Sequence, residues 1–402
     1  MTRRFLVSIA LGVALSLSSS ARAGGLYINE FPTLAMGTAG AGAQAMANTA
    51  ATAWYNPAGM TRIEGHALLG GFGGVVTDIQ FDPNRDTPVP GNDGGQQGGF
   101  APVMGAYYVH SLNERWKLGA DLNAISGGVM DPDNGWAGRL QNQETAILVM
   151  ELGLEVAFRV NDWLSIGAGP RLQYSRLDYT VSTPRGIQIN FDQIDDFLVT
   201  WKAGLLFEPS ERTRVGFLFF GKSEPNFSGD VTFRPTPIEA SVNTQIVLPR
   251  AVRGSVYHEL NDQWALMATV GWEQWSDFPS QYVSVGRGSG NIPRNFDDTY
   301  YFGLGVHWRP VDRWLLTAGA AYDTNPASQQ DRTADMPLDR QIRGAFGAYY
   351  DYSENLQVGG AFTYANYGKG AISSSTLRGE FDRNDLYFFT VVFNWKKTAW
   401  SD

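Results

Sequence analysis

The stretch NDQWALMATVGW, residues 261–272, combines the two features that determine the fold of this chain. It begins with a short polar turn, and apolar side chains then occupy every second position from Trp264 to Trp272. A strand places alternate side chains on opposite faces, so these residues share one apolar face. The two tryptophans at its ends lie about 20 Å apart in membrane depth for a strand tilted by about 40°. The pattern predicts a membrane-spanning β-strand with an aromatic residue at each membrane surface.

The turn recurs along the chain at intervals of about fifty residues. Copies with tryptophan lie at 113–116, 161–163, 261–264 and 312–314, and copies without it lie at 208–211 and 352–355. The connections between copies are longer and rich in Asp, Gly and Pro. Short turns at one end and long loops at the other are typical of an outer-membrane β-barrel. A soluble β-sandwich also has alternating strands, but it does not explain the paired outward aromatics.

We predict an all-β fold, a transmembrane antiparallel β-barrel of about fourteen strands. The strands are centred near Gly70, Ala106, Ala120, Leu152, Ala168, Gly204, Phe217, Gly254, Ala268, Gly305, Ala318, Phe346, Gly360 and Val391. An even number places both termini in the periplasm. The long outer connections are expected at about 80–100, 126–143, 176–196, 222–248, 277–297, 324–338 and 367–382.

The N-terminus and the composition limit the possible functions. Residues 1–23 carry two arginines near their start, continue with an apolar run and end in an A-x-A sequence that contains a third arginine, which predicts a cleaved secretory signal peptide. Its removal changes the formal net charge from −9 to about −12, so nucleic acid is not an expected partner. The chain has no cysteine, which excludes disulfides and thiolate metal sites. After the signal there is no apolar run of eighteen residues, so we expect no transmembrane helix.

A second region, residues 33–60, does not alternate. It is rich in alanine, glycine and methionine, carries Trp54 and Tyr55, and is interrupted by Asn56-Pro57. Alanine favours short helices, and Asn-Pro favours a turn. A small-residue segment before a barrel fits inside its lumen, although a periplasmic linker is the alternative. We therefore expect a hatch at 24–63 and the barrel at 64–402.

Asn56-Pro57-Ala58-Gly59 resembles the Asn-Pro-Ala signature of the FadL family of outer-membrane transporters for long-chain fatty acids and other hydrophobic molecules. The resemblance covers essentially the whole mature chain. It continues at 248–254, 272–276, 318–323 and 336–340. One departure is the C-terminus, because family members usually end in an aromatic residue and this chain ends in Asp402.

The resemblance implies a monomeric fourteen-stranded barrel with an N-terminal hatch. Ligand would enter an apolar groove in the outer loops and pass to a tighter luminal site beside the hatch. It would leave through a lateral gap in the wall, associated with an inward kink of the third strand. Outer-membrane lipid and lipopolysaccharide are the expected surroundings, and no cofactor is expected.

Candidate site residues fall into two groups. Asn56, Pro57, Ala58 and Gly59 are expected to hold or move the hatch, and a purely structural turn is the alternative. Alternation places five cations toward the lumen, where they meet a substrate carboxylate or serve as ordinary luminal charges. The ligand-binding candidates are Gly24, Leu26, Phe31, Lys117, Arg171, Lys202, Arg253 and Arg343. Trp136 and Phe227 are expected to line the outer groove or to pack within the loops.

No catalytic residue and no metal site are predicted, because the four histidines lie on different segments without a matching nucleophile. The expected function is passive, hatch-gated uptake of hydrophobic molecules, with fatty acids ahead of aromatic hydrocarbons. A general porin for hydrophilic solutes and a barrel enzyme acting on lipid or peptide are the alternatives.

Overall fold

The polar turns found in the sequence join barrel strands through one repeated hydrogen-bond arrangement. Oδ1 of Asn113 accepts from the backbone N–H groups of Arg115 and Trp116, both at 2.9 Å. Asn161 and Asn261 make the equivalent bonds in their own turns. An asparagine that caps a turn in this way fixes where the next strand begins. The tryptophan after each cap is exposed on the outer face of the barrel.

The computed structural model describes residues 31–236 and 238–397. Its strands are β1 (His66–Pro83), β2 (Phe100–Ser111), β3 (Trp116–Met130), β4 (Glu144–Asn161), β5 (Leu164–Ser182), β6 (Gln188–Ser210), β7 (Thr213–Phe220), β8 (Asn226–Arg234), β9 (Ile238–Gln245), β10 (Ala251–Glu259), β11 (Trp264–Glu273), β12 (Ser280–Val285), β13 (Gly288–Pro293), β14 (Thr299–Trp308), β15 (Trp314–Asp323), β16 (Gln341–Asp351), β17 (Leu356–Asn366), β18 (Ile372–Ser373) and β19 (Arg378–Lys397). The predicted signal peptide lies outside the described residues.

Fourteen of these strands close an antiparallel barrel. Each pairs with the next in the order β1 to β7, β10, β11, β14 to β17 and β19, and β19 returns to β1 from His66↔Lys397 to Pro83↔Gly379. The fourteen predicted strand centres all fall within these strands, so the predicted fold is confirmed. The first strand begins, and the last one ends, at the edge that carries the short turns.

The two faces of the wall follow the alternation of the sequence. On β11, Leu266 and Val270 are exposed outward, whereas Met267 and Thr269 are buried toward the lumen. Trp264 stacks on Trp308 of β14 with ring centres 5.2 Å apart. Outward apolar side chains suit a lipid environment, and the core therefore lies inside the barrel.

The outer connections are more ordered than the sequence indicated. The predicted loop at 176–196 is largely strand, because β5 and β6 extend beyond the membrane-spanning region and meet at a turn around Gly186. The predicted loops at 222–248 and 277–297 contain β8, β9, β12 and β13. These strands pair in the order β6, β8, β9, β12 and β13, which extends the wall into a curved sheet on the outer side.

The helices are short. The 3-10 helices are Leu34–Thr38, Pro57–Arg62 and Trp275–Asp277, and the α-helices are Ala43–Met46 and Thr52–Tyr55. Within residues 31–236 and 238–397, none is long and apolar enough to cross a membrane. Four of the five lie in residues 31–63, which we call the luminal segment.

Candidate functional site

The luminal segment crosses the interior of the barrel and is bonded to several strands. Gly42 N donates to Thr269 Oγ1 of β11 at 2.8 Å. Tyr301 of β14 donates to the Ala39 carbonyl at 2.5 Å. Its small residues are almost completely buried, so the segment packs directly against the inward face of the wall. The lumen at this level is filled by protein rather than left open.

Asn56 forms a buried polar junction between the segment and the wall. Its Nδ2 donates to the Gln44 carbonyl at 2.7 Å and to the Leu205 carbonyl of β6 at 2.9 Å. Its Oδ1 accepts from Ala58 N at 3.1 Å and so caps the 3-10 helix that begins at Pro57. A buried asparagine is stable only when such bonds are made. Asn56 therefore ties two parts of the segment to each other and to the wall.

Glycines on three adjacent strands make room for this turn. Gly167 of β5 and Gly204 of β6 lie opposite each other, and Gly216 follows on β7. A Cβ on Gly204 would collide with Asn56 Oδ1, and one on Gly167 would lie 2.6 Å from Ala58 N. We call these three residues the glycine platform. They allow the backbone of the segment to approach the wall more closely than any side chain would permit.

A cluster of buried charges lies beside the platform. Lys202 Nζ is 2.5 Å from Asp121 Oδ2 and 3.0 Å from Glu155 Oε1. Arg171 pairs with Glu151 at 2.7 Å. We call these five residues the luminal ion-pair cluster, and all five side chains are fully buried. Because these charges are shielded from water, removing one partner of a pair leaves the other charge buried and unpaired, which costs stability.

Aromatic side chains of the segment cover this cluster. The ring of Trp54 lies 4.8 Å from Lys202 Nζ and 5.7 Å from the Arg171 guanidinium. Phe31 packs edge-on against Trp54 with ring centres 5.2 Å apart, and Phe220 of β7 lies 5.3 Å from Trp54 on another side. The structure thus brings together three of the predicted ligand-binding candidates, Phe31, Arg171 and Lys202.

The other candidates are separate. Lys117 lies near the short-turn edge, where it donates to Ser111 Oγ at 2.9 Å. Arg253 pairs with Glu273 at 2.7 Å, and Arg343 pairs with Asp323. Gly24 and Leu26 lie outside the described residues. Arg171, Lys202, Arg253 and Arg343 all contact a carboxylate of the protein, so a substrate carboxylate would have to compete with it.

The wall has an interruption between β2 and β3. These strands pair only from Gly105↔Asn123 to Ser111↔Lys117, while the outer halves of the two strands pair with β1 and β4 alone. A register shift lies between Ala124 and Ser126, and Ile125 is fully buried. Above it, Asp131 N donates to the Gln97 carbonyl at 2.8 Å. We call this interruption the wall gap.

The curved outer sheet encloses a second site, which we call the outer pocket. It has a volume of about 510 Å³ and an apolar lining. Among its lining residues are Ile147, Leu177, Val181, Ile189, Ile246 and Val283. At its rim Arg294 donates to Asp335 at 2.7 Å and to Gln281. Its size and lining are those of small-molecule sites in other proteins.

The family resemblance implied an apolar groove in the outer loops, but sequence reasoning did not identify the residues that line the outer pocket. The two aromatics proposed for the groove, Trp136 and Phe227, are not among its lining residues. Trp136 packs against Phe81 in a separate buried cluster, and Phe227 is fully buried in the main core. The sequence feature that could have indicated the pocket is the alternation of Leu177, Tyr179 and Val181, which lie in a segment interpreted as loop. Among the described residues, no group of three or more His, Cys, Asp or Glu side chains is placed to hold a metal ion.

Comparisons with known proteins agree with this architecture. The family described as "Outer membrane protein transport protein (OMPP1/FadL/TodX)" matches residues 14–390. The long-chain fatty acid transport protein of Escherichia coli (strain K12) is 23% identical over 439 residues, covering 96% of this chain and 97% of the relative. Outer membrane protein P1 of Haemophilus influenzae is 24% identical over 421 residues, covering 90% of each chain.

Solved structures show the same fold. A Pseudomonas aeruginosa FadL homologue superposes with a TM-score of 0.86 at 20% identity, covering 93% of this chain and 100% of the other. The Ralstonia pickettii toluene transporter TbuX superposes with a TM-score of 0.70 at 18% identity, covering 91% and 98%. The family match extends over nearly the whole chain. This chain belongs to the OMPP1/FadL/TodX family of outer-membrane proteins, which transport hydrophobic compounds.

Proposed function

We propose that this protein takes up long-chain fatty acids across the outer membrane, with the luminal segment acting as a hatch. The observation that carries the proposal is the outer pocket, which lies above a lumen that is filled by the luminal segment. Apolar side chains in the pocket remove the alkyl chain from water before it reaches the lumen. Uptake is passive and follows the concentration gradient, and no catalytic step is involved.

The proposed route uses three features in order. The substrate binds in the outer pocket, moves to the lumen beside Phe31 and Trp54, and leaves through the wall gap into the bilayer. Displacement of the Asn56-Pro57 turn opens the passage from the lumen to the wall gap. The whole route lies within one barrel, so a monomer suffices for transport, and lipopolysaccharide surrounds the outer rim of the barrel.

The size of the outer pocket supports an acyl chain as the substrate. A cavity of about 510 Å³ with an apolar lining from six strands has room for an acyl chain, and its volume is within the range of small-molecule sites. The relatives named as long-chain fatty acid transport proteins also match over almost their full length.

An aromatic hydrocarbon is the second candidate. The pairing of Arg171, Lys202, Arg253 and Arg343 with protein carboxylates favours it, because an uncharged substrate has no need to compete for these cations. Solved toluene transporters share the fold. A porin for hydrophilic solutes fits least well, since the luminal segment occupies the lumen. Deletion of residues 26–61 with unchanged ion conductance would revive it.

The first test compares uptake of labelled oleate and labelled toluene in a transporter-deficient Gram-negative host. Asn56→Ala removes two donated hydrogen bonds and one accepted bond from a buried turn, each worth about 1 kcal/mol. Without these bonds the turn no longer holds the arrangement that passes ligand from the outer pocket to the lumen, so we expect oleate uptake to fall by roughly tenfold, a loss equivalent to about 1.4 kcal/mol. Pro57→Ala should act in the same direction.

Asn48→Ala is the matched control, because Asn48 lies in the same segment but is exposed. Barrel assembly is checked by the shift in gel mobility on heating. Normal oleate uptake by a correctly assembled Asn56→Ala variant would contradict the hatch role. Uptake of toluene without oleate would assign the protein to the aromatic substrates instead.

A further inference from the structure

Three side chains with metal-binding atoms meet on the outer face of the barrel, beside the first short turn. His66 of β1 and His110 of β2 are direct cross-strand partners, and Tyr108 lies two residues before His110 on the same face. His66 Nδ1 is 3.0 Å from His110 Nδ1 and 2.8 Å from Tyr108 Oη. The sequence alone placed these two histidines on different segments, and only the strand register brings them together.

One ring nitrogen, Nδ1 of His66, takes part in both contacts. An imidazole Nδ1 has either one lone pair or one proton in the ring plane. Two polar atoms approach Nδ1 of His66 at hydrogen-bond distance, so its single lone pair must accept from both Tyr108 and His110. A metal cation in the same place would instead bind a lone pair from each of the three atoms, with the phenol proton and any Nδ1-bound proton released to solvent.

We infer that His66, His110 and Tyr108 form a binding site for a divalent transition metal, with Cu(II) as the preferred ion. Nitrogen–metal bonds are about 2.0–2.1 Å long, so two nitrogens 3.0 Å apart subtend about 95° at the metal. The 2.8 Å separation of nitrogen and phenol oxygen corresponds to about 85° for similar bond lengths. Angles near 90° suit square-planar Cu(II) or Ni(II) better than tetrahedral Zn(II).

The position of the site favours access from the periplasm. His66 is the first residue of β1 and His110 is the last but one of β2, so both lie at the short-turn edge, and both are partly exposed. A metal held there ties β1 to β2 next to the seam where β19 closes the barrel. The site is separate from the luminal segment and from the outer pocket, so the inference does not depend on the proposed transport.

His258 of β10 provides a matched control. It also faces outward near the short-turn edge, but its imidazole is hydrogen-bonded to Thr213 Oγ1 at 2.9 Å. A single imidazole paired with a hydroxyl group should not bind Cu(II) in the same way. Replacing it tests whether the effect belongs to the His66–His110 pair or to any surface histidine.

The experiment is a titration of the full mature protein with Cu(II), folded in detergent, with an affinity tag that contains no histidine. Electron paramagnetic resonance should show a site with two nitrogen ligands in the wild type. His66→Gln and His110→Gln should each weaken Cu(II) binding by more than the roughly 10- to 100-fold lost when a secondary partner is removed. His258→Gln should bind as the wild type does.

Two further outcomes decide the donor set. Tyr108→Phe should weaken binding while leaving the two-nitrogen signature, and unchanged affinity would remove the phenol from the site. Cu(II) should also raise the temperature at which the wild type unfolds in detergent, but not that of His66→Gln. Wild-type Cu(II) affinity in the correctly folded His66→Gln/His110→Gln variant would overturn the inference.

Discussion

The outer pocket and the lumen below it differ in where their polar groups lie. The pocket is lined by apolar side chains, and its rim carries the Arg294–Asp335 pair. The lumen is filled by the luminal segment, whose Asn56 is fully buried and bonded to Leu205 of the wall. An apolar ligand therefore enters the pocket without rearrangement, whereas it enters the lumen only by breaking existing contacts. The outer pocket supplies the affinity for the ligand, and the luminal segment controls its passage.

The largest effect is expected from closing the glycine platform. A Gly204→Val side chain would collide with Asn56 Oδ1, and overpacking of this kind costs about 1–3 kcal/mol besides the lost hydrogen bonds. The turn must then leave the wall. Because the lumen of a barrel this wide admits water once it is unfilled, we expect ion conductance in planar bilayers to rise by more than about 100-fold.

Gly344→Val is the control for this experiment, because a Cβ at Gly344 meets no atom within 4 Å. Both variants should assemble, since neither substitution removes a backbone hydrogen bond of the wall. Equal conductance in Gly204→Val and Gly344→Val would show that the platform does not hold the segment in place.

The difference between the two regions also explains which parts could be predicted from sequence. Turns such as 261–264 and the alternation of Trp264 to Trp272 are local, so the barrel and its fourteen strands were predictable. The small-residue composition of 33–60 was also local, and it indicated a segment that fits inside a lumen. The Asn56 turn was identified by its motif rather than by its contacts.

Long-range contacts were not predictable in the same way. Lys202 and Asp121 are 81 positions apart in the chain, and alternation shows only that both face inward. The glycine platform requires the register of β5, β6 and β7, which single strands do not reveal. The outer pocket depends on the pairing of β9 with β12, strands that lie in segments interpreted as loops.

A second, smaller effect is expected in the outer pocket. Leu177 is buried in its lining, so Leu177→Asp places a carboxylate in apolar surroundings at a cost of several kcal/mol. We expect the Kd for both oleate and toluene to rise by roughly 10- to 100-fold, since about 1.4 kcal/mol corresponds to each factor of ten. Binding to the purified protein in detergent measures the change.

Leu260→Asp is the control, because Leu260 is exposed at a short turn on the opposite edge. The ion conductance of Leu177→Asp should stay at the wild-type level, because the luminal segment is untouched. Unchanged affinity for both ligands would mean that they bind elsewhere, and the distinction between a binding region and a gating region would fail.

The smallest effect concerns the ion pair at the rim of the pocket. Burial tends to raise the pKa of Asp335, but the charge of Arg294 and the hydrogen bonds from it prevail, so the pKa is lowered from its ordinary value. Because the carboxyl pKa is lower in the folded protein than in the unfolded chain, the ion pair stabilises the folded rim at every pH above the unfolded-state pKa of about 3.9. This stabilisation is lost as the pH falls through the lowered folded value. Ligand affinity should thus be constant between neutral pH and about pH 5, and should decrease only in stronger acid.

Asp335→Asn removes the negative charge that pairs with Arg294, and so it tests the selectivity of the pocket. At neutral pH the variant leaves a buried guanidinium without its carboxylate, and that cation can pair with the carboxylate of oleate but not with toluene. We expect the ratio of oleate affinity to toluene affinity to rise by about three- to tenfold, within the range for a charge-assisted hydrogen bond. An unchanged ratio would mean that the substrate carboxylate never approaches the rim. In that case the pocket recognises only the apolar part of its ligand, and any discrimination between fatty acids and hydrocarbons arises in the lumen.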